Sequence, residues 1–130
     1  MRVWVRIGLV LLGVAQLGVG VWALLLPRAF FAIPVVGMGM PYNPHLMMDY
    51  GALSVATSIV LGVAAVTMRP GMIRTALAVF LAFAVPHLLI HVRFLHHLPP
   101  DQGAWLLTWL GLAVVVPVVL WVLGERARRG

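Results

Sequence analysis

The chain has no cysteine and no lysine, and only three acidic residues among 130. Without cysteine there is no disulfide, no thiolate metal site and no thiol redox chemistry, so the redox compartment leaves no mark. The nine basic residues, all arginine, bring the acidic and basic side chains to 9% of the chain. So few charges cannot clothe a water-soluble domain. Enzyme signatures are missing too: there is no Gly-rich phosphate loop, no Gly-x-Ser-x-Gly elbow and no His-Glu-x-x-His. The sequence therefore names no enzyme. Its length also argues against an ordinary transporter, which needs repeats and more helices, unless the chain oligomerises.

What is present is apolar: 63% of residues are hydrophobic and the mean hydropathy is +1.08. Lipid must cover most of the surface. Four apolar stretches, at about 3–26, 48–68, 72–95 and 104–123, each reach the roughly 20 residues needed to cross ~30 Å of hydrocarbon. The backbone in lipid must satisfy its own hydrogen bonds, so these stretches are expected to be helices, with no strand signal competing. The predicted fold is all-α, one integral membrane four-helix bundle over residues 1–130 with antiparallel up-down spans. Arg2 and Arg6 ahead of an apolar run could open a signal peptide. The run continues to Leu26 without a small-x-small cleavage site, so a retained first span is expected.

Charge placement gives an orientation. Arg2, Arg6, Arg69, Arg74, Arg126, Arg128 and Arg129 fall on one side of a four-span arrangement, and Arg28 and Arg93 toward the other. The positive-inside rule makes the first side cytoplasmic, so both termini are predicted inside. The aromatic residues agree, with Trp4 and Trp121 at the inner boundary and Trp22, Tyr42, Tyr50 and Trp105 at the outer one. Arginine at helix ends rather than along one face fits the bilayer as partner and excludes nucleic acid.

The connections differ in kind. Arg69-Pro70-Gly71 is a tight turn, and the run from His96 to Gly103 is broken by Pro99 and Pro100. The linker 27–47 contains Phe30, Phe31, Val35 and Val36, and is expected to lie at the outer interface with a short amphipathic turn near Arg28–Ile33. Ser54, Ser58 and Gly62, four apart, are expected to let helices approach closely. Pro86 and Pro117 interrupt the third and fourth spans. Met38, Met40, Met47 and Met48 read as interfacial filler rather than a copper path.

All five histidines, two of the three acids and the single asparagine fall in the outer half. His45 and Asp49 are four apart at the start of span two, and His87 and His91 four apart at the end of span three, so each pair shares a helical face. In antiparallel spans the two faces lie at similar depth and can meet. Three histidines and a carboxylate (His45, His87, His91, Asp49) suit Zn, Cu or Fe. Histidines on separate helices could instead ligate haem, although nothing marks a haem pocket. A third reading has Asp49 and the histidines hydrogen-bond a quinone-like, lipid-soluble ligand and relay its protons, with Asn43 and His45 at the mouth. The plain alternative is a set of interhelical hydrogen bonds and interfacial residues in a non-catalytic accessory subunit. Against it, His87 lies about ten residues from the expected helix end, ~15 Å deep, where a polar side chain is costly. The cluster of His96, His97 and Asp101 cannot share a helical face across Pro99 and Pro100. Arg93 is expected to snorkel outward or to pair with Asp49 or Asp101.

Three blocks carry a resemblance: Trp22 to Phe31 (Trp-Ala-Leu-Leu-Leu-Pro-Arg-Ala-Phe-Phe), Pro41 to Leu53 (Pro-Tyr-Asn-Pro-His…Asp-Tyr-Gly-Ala-Leu) and Pro86 to His91 (Pro-His-Leu-Leu-Ile-His). They resemble DoxX-like small bacterial membrane proteins, in an actinobacterial branch of four-helix chains. The resemblance implies a four-helix bundle in the bacterial inner membrane and, for the wider group, redox partner proteins; it transfers no active-site residue. The expectation is an inner-membrane protein with a polar site near the outer leaflet, built on Asp49, His87 and His91. A membrane or redox partner, or a second copy of the chain, would be its companion.

Overall fold

Proline sets where most of the helices start. The computed structural model describes residues 2–129, with 127–129 described by backbone alone, so the side chains of Arg128 and Arg129 lie outside the described residues. Its elements are α1 (Arg2–Leu25), α2 (Pro27–Phe31), α3 (Pro34–Gly37), α4 (Pro44–Thr67), α5 (Pro70–Arg93), a 3₁₀ turn (Leu95–His97) and α6 (Pro100–Arg129). The described residues contain no strand. Five of the six α-helices open on proline, where its missing N–H has no intrahelical partner to lose and its fixed φ suits the helix. Helix starts read at about Met48 and Ala104 therefore move a turn earlier, to Pro44 and Pro100. Asn43 sits just ahead of α4 as its cap, its side-chain Oδ1 accepting the N–H of Leu46 at 3.1 Å.

Four helices, α1, α4, α5 and α6 as far as Arg126, are long and apolar enough to cross a membrane. Each presents an inward face at helical spacing: Val5, Leu9 and Gly13 on α1, Ser54, Ser58 and Leu61 on α4, Ile73, Leu77 and Phe80 on α5. One buried cluster draws on all four, through Leu9, Leu61, Leu77 and Leu120. The opposite faces are also apolar, with Leu11, Val14, Leu53, Ile59 and Val66 exposed. A continuous apolar exterior of this kind is an association hazard in water and the expected surface against lipid tails.

Helices α1 and α4 approach each other backbone to backbone. A Cβ added at Gly20 would lie 2.8 Å from the backbone N of Val55, and one at Gly51 would lie 2.5 Å from the N of Leu24. Only glycine permits that approach, and in lipid such approach is a main source of helix association. Ser54 and Ser58, expected in this seam, are buried in it. Gly62 is different: a Cβ there would meet nothing within 4 Å, so its missing side chain is not what admits α1. The Ser58 hydroxyl donates to the carbonyl of Val55 at 2.7 Å and Thr57 to that of Leu53 at 2.9 Å, which satisfies both inside an apolar helix.

At the other end of the bundle α5 and α6 are joined by charge. Arg74 donates through Nε and Nη2 to the two carboxylate oxygens of Glu125, at 2.6 and 3.0 Å. The linker from α1 to α4 holds α2 and α3, and the helical turn at Pro27–Phe31 falls in the segment read as amphipathic near Arg28–Ile33.

Candidate functional site

The polar residues singled out in the sequence fall into two separate pairs. On the first turns of α4, His45 Nδ1 and Asp49 Oδ2 lie 3.3 Å apart, with side chains 87% and 65% exposed. On α5, the rings of His87 and His91 meet edge-on with centroids 4.5 Å apart, both half-buried. Because α5 ends at Arg93, His87 is six residues from the helix end, which is ~9 Å of helix rather than the expected ~15 Å.

The two pairs do not converge on a metal point. Among the described residues no group of three or more His, Asp or Glu side chains could hold a metal ion. The set His45, Asp49, His87 and His91 is thus not assembled as Zn, Cu or Fe ligands, for which three or four converging donors are the rule. Both half-buried histidines belong to one helix and touch each other, so they do not flank a haem from opposite sides either. Among the described residues Arg93, exposed at the end of α5, forms no ion pair with Asp49 or Asp101. His96 and His97 are exposed on the 3₁₀ turn with ring centroids 4.2 Å apart, and Asp101 lies in the first turn of α6.

What the structure does assemble is a run of rings across four helices. Trp22 of α1 meets Phe30 of α2 edge-on at 5.5 Å, and Phe30 stacks on Tyr50 of α4 at 6.1 Å. Tyr50 reaches α5 at Phe83 (5.9 Å) and at His87 (6.0 Å). Phe83 and His87, one turn apart, stack at 4.9 Å with planes 23° from parallel. Ring pairs at these separations gain beyond the area they bury. The ladder ties the linker helix α2 to α4 and α5, and it sets His87 and His91 at its end. A side branch pairs Phe31 with Tyr42 at 5.3 Å and places the Arg28 guanidinium over the Tyr42 ring at 5.4 Å.

Among the described residues, His91 Nδ1 and Gln102 Oε1 are buried in this half of the bundle without a hydrogen-bond partner. Buried polar atoms are rarely left unpaired, and an exception calls for a water, an ion or a ligand. His91 and Gln102 flank the α5–α6 connection. Gln102 and Phe83 were not marked in the sequence. Phe83 was findable, since Phe83, His87 and His91 recur at four-residue spacing on one helical face. Gln102 gave no such signal.

The chemistry available here follows from the groups. An imidazole nitrogen donates to a carbonyl oxygen in one tautomer and accepts from a hydroxyl in the other. Beside it the rings of Tyr50 and Phe83 are stacked against His87. In comparisons with known proteins, no family model, no curated protein and no solved structure matches the chain.

Proposed function

We propose that this chain is a multi-pass protein of a bacterial cytoplasmic membrane, with both termini inside. Its aromatic–histidine site would bind the flat polar head of a lipid-soluble, quinone-like ligand. The observation that carries the reading is His91 Nδ1, buried and unpartnered beside His87 at the end of the ring ladder. A quinone carbonyl would accept from that nitrogen and a quinol hydroxyl would donate to it, so one group serves both redox forms of the ligand. Phe83 and Tyr50 stack against His87 and hold its ring beside His91. His45 and Asp49, exposed at the start of the helix that carries Tyr50, would pass protons to and from water.

The arginine distribution supports the sidedness, because Arg2, Arg6 and Arg74 line clefts at the end of the bundle opposite the histidines. The DoxX-like resemblance belongs to the same proposal. Its three blocks contain Trp22, Phe30, Tyr50, His87 and His91, five members of the ladder. A membrane-bound redox partner would then supply or remove electrons. The non-catalytic alternative, in which these side chains fasten helices, draws on the His87–Tyr50 ring contact between α5 and α4 but not on the other polar residues. Among the described residues the side-chain hydrogen bond of Asn43 and the ion pair of His45 with Asp49 both stay within or at the start of α4.

The test is equilibrium binding of a short-tailed quinone to detergent-purified protein, in the parent chain, His91→Phe and His87→Ala. Saturable binding is expected in the parent, and at least tenfold weaker binding in His91→Phe, the loss of about one buried hydrogen bond. No binding to the parent, or equal binding in all three, refutes the proposal. A stoichiometric metal in the parent that His87→Ala removes would replace it with the metal reading.

A further inference from the structure

Two clefts open at the arginine-rich end of the bundle, and they share a wall. One, of about 220 Å³, lies between α1, α5 and α6; Arg2, Arg74 and Glu125 meet Val5, Leu77 and Trp121 in it. The other, of about 390 Å³, lies between α1 and α4 and contains Arg2, Arg6, Ile7 and Thr67. Arg2 and Met68 line both. Each cleft is thus lined by arginine together with apolar side chains, a combination that fits a phosphate joined to an acyl chain. Neither cleft belongs to the ring ladder, whose residues lie elsewhere on α4 and α5.

We infer that these paired clefts bind one anionic phospholipid carrying two phosphates bridged by glycerol, as cardiolipin does, with Arg2 between the phosphates. Charge complementarity selects the occupant: Arg2 and Arg74 line the first cleft with one carboxylate, Glu125, and Arg2 and Arg6 line the second with none. Glu125 engages Nε and Nη2 of Arg74, which holds the guanidinium in place and leaves Nη1 outside that pair. A fixed guanidinium with remaining donors is the group that recognises phosphate best. Size selects the mode of binding. The smaller cleft falls below the roughly 300–1,000 Å³ that encloses a drug-sized ligand, so it takes a headgroup and the start of a chain while the rest of the chain lies on the exposed apolar helix faces. Two such clefts on either side of one arginine match two phosphates better than one. Basic pockets between membrane helices are known to hold such headgroups.

Native mass spectrometry of detergent-purified protein, titrated separately with cardiolipin, phosphatidylglycerol, phosphatidylcholine and inorganic phosphate, tests the inference. The expected order is cardiolipin well ahead of phosphatidylglycerol, with phosphatidylcholine and inorganic phosphate not retained. Arg2→Gln and Arg6→Gln, both at exposed positions, are each expected to weaken cardiolipin roughly fivefold, from about 1 kcal/mol per arginine at a membrane surface. Quinone binding in both variants should be unchanged. Equal retention of cardiolipin and phosphatidylglycerol overturns the two-phosphate site. Retention of inorganic phosphate overturns the lipid assignment, and undiminished cardiolipin binding in a chain carrying both Arg2→Gln and Arg6→Gln overturns the location.

Discussion

Replacing Gly51 with alanine should weaken the bundle measurably, although alanine is the better helix former. An added Cβ would sit 2.5 Å from Leu24 N, 2.8 Å from Gly20 O and 2.9 Å from Leu24 Cα, all backbone atoms of α1. Ordinary contact begins at 3.4 Å, so α1 would have to move about 0.9 Å at that point, and no flexible side chain stands between to yield. Overpacking of this kind costs about 1–3 kcal/mol. The gain from alanine over glycine in a helix is about 0.8–1 kcal/mol in water and offsets part of it. The net expectation is a loss of up to about 2 kcal/mol for Gly51→Ala. Gly62→Ala, where a Cβ meets nothing within 4 Å, should be neutral or slightly stabilising. The assay is reversible unfolding in mixed micelles with increasing denaturing detergent, followed by helical circular dichroism, on the parent and both variants. If Gly51→Ala proves as stable as Gly62→Ala, α1 and α4 do not meet as described.

Other outcomes follow from the same contacts. Asn43→Ala should lose about 1 kcal/mol from the missing cap, and Asn43→Asp should keep it, as read by the same unfolding curves. His91→Phe should hold or raise stability, by up to about 1 kcal/mol, because it removes a buried unpartnered nitrogen, even as it weakens quinone binding. A double-mutant cycle on Arg74→Ala and Glu125→Ala should show favourable coupling that shrinks in high salt, since both side chains are partly exposed. His45→Ala should stay within about 0.5 kcal/mol of the parent, its pair with Asp49 being a surface pair.

The spans were legible in the sequence because lipid leaves only one solution for a long apolar run: a helix. Their starts were misplaced because Pro44 and Pro100 read as loop residues, whereas at the first helical position proline has no hydrogen bond to lose. The His45–Asp49 and His87–His91 pairs were legible from four-residue spacing within a helix. Whether the two pairs meet depends on how α4 and α5 rotate against each other, and no local pattern encodes that. The Gly20–Gly51 contact and the Arg74–Glu125 bridge were hidden for the same reason, each joining residues far apart in the chain. The ring ladder needed the path of the linker, since Phe30 reaches Tyr50 only through α2.

The most direct test of the central claim is nitrogen NMR of detergent-solubilised protein with isotope-labelled histidine, recorded with and without a short-tailed quinone. A shift of the His91 Nδ1 resonance, with those of His96 and His97 unmoved and the effect absent in a chain carrying His87→Ala, is the predicted result. An unmoved His91, or equal shifts at all five histidines, would contradict the site.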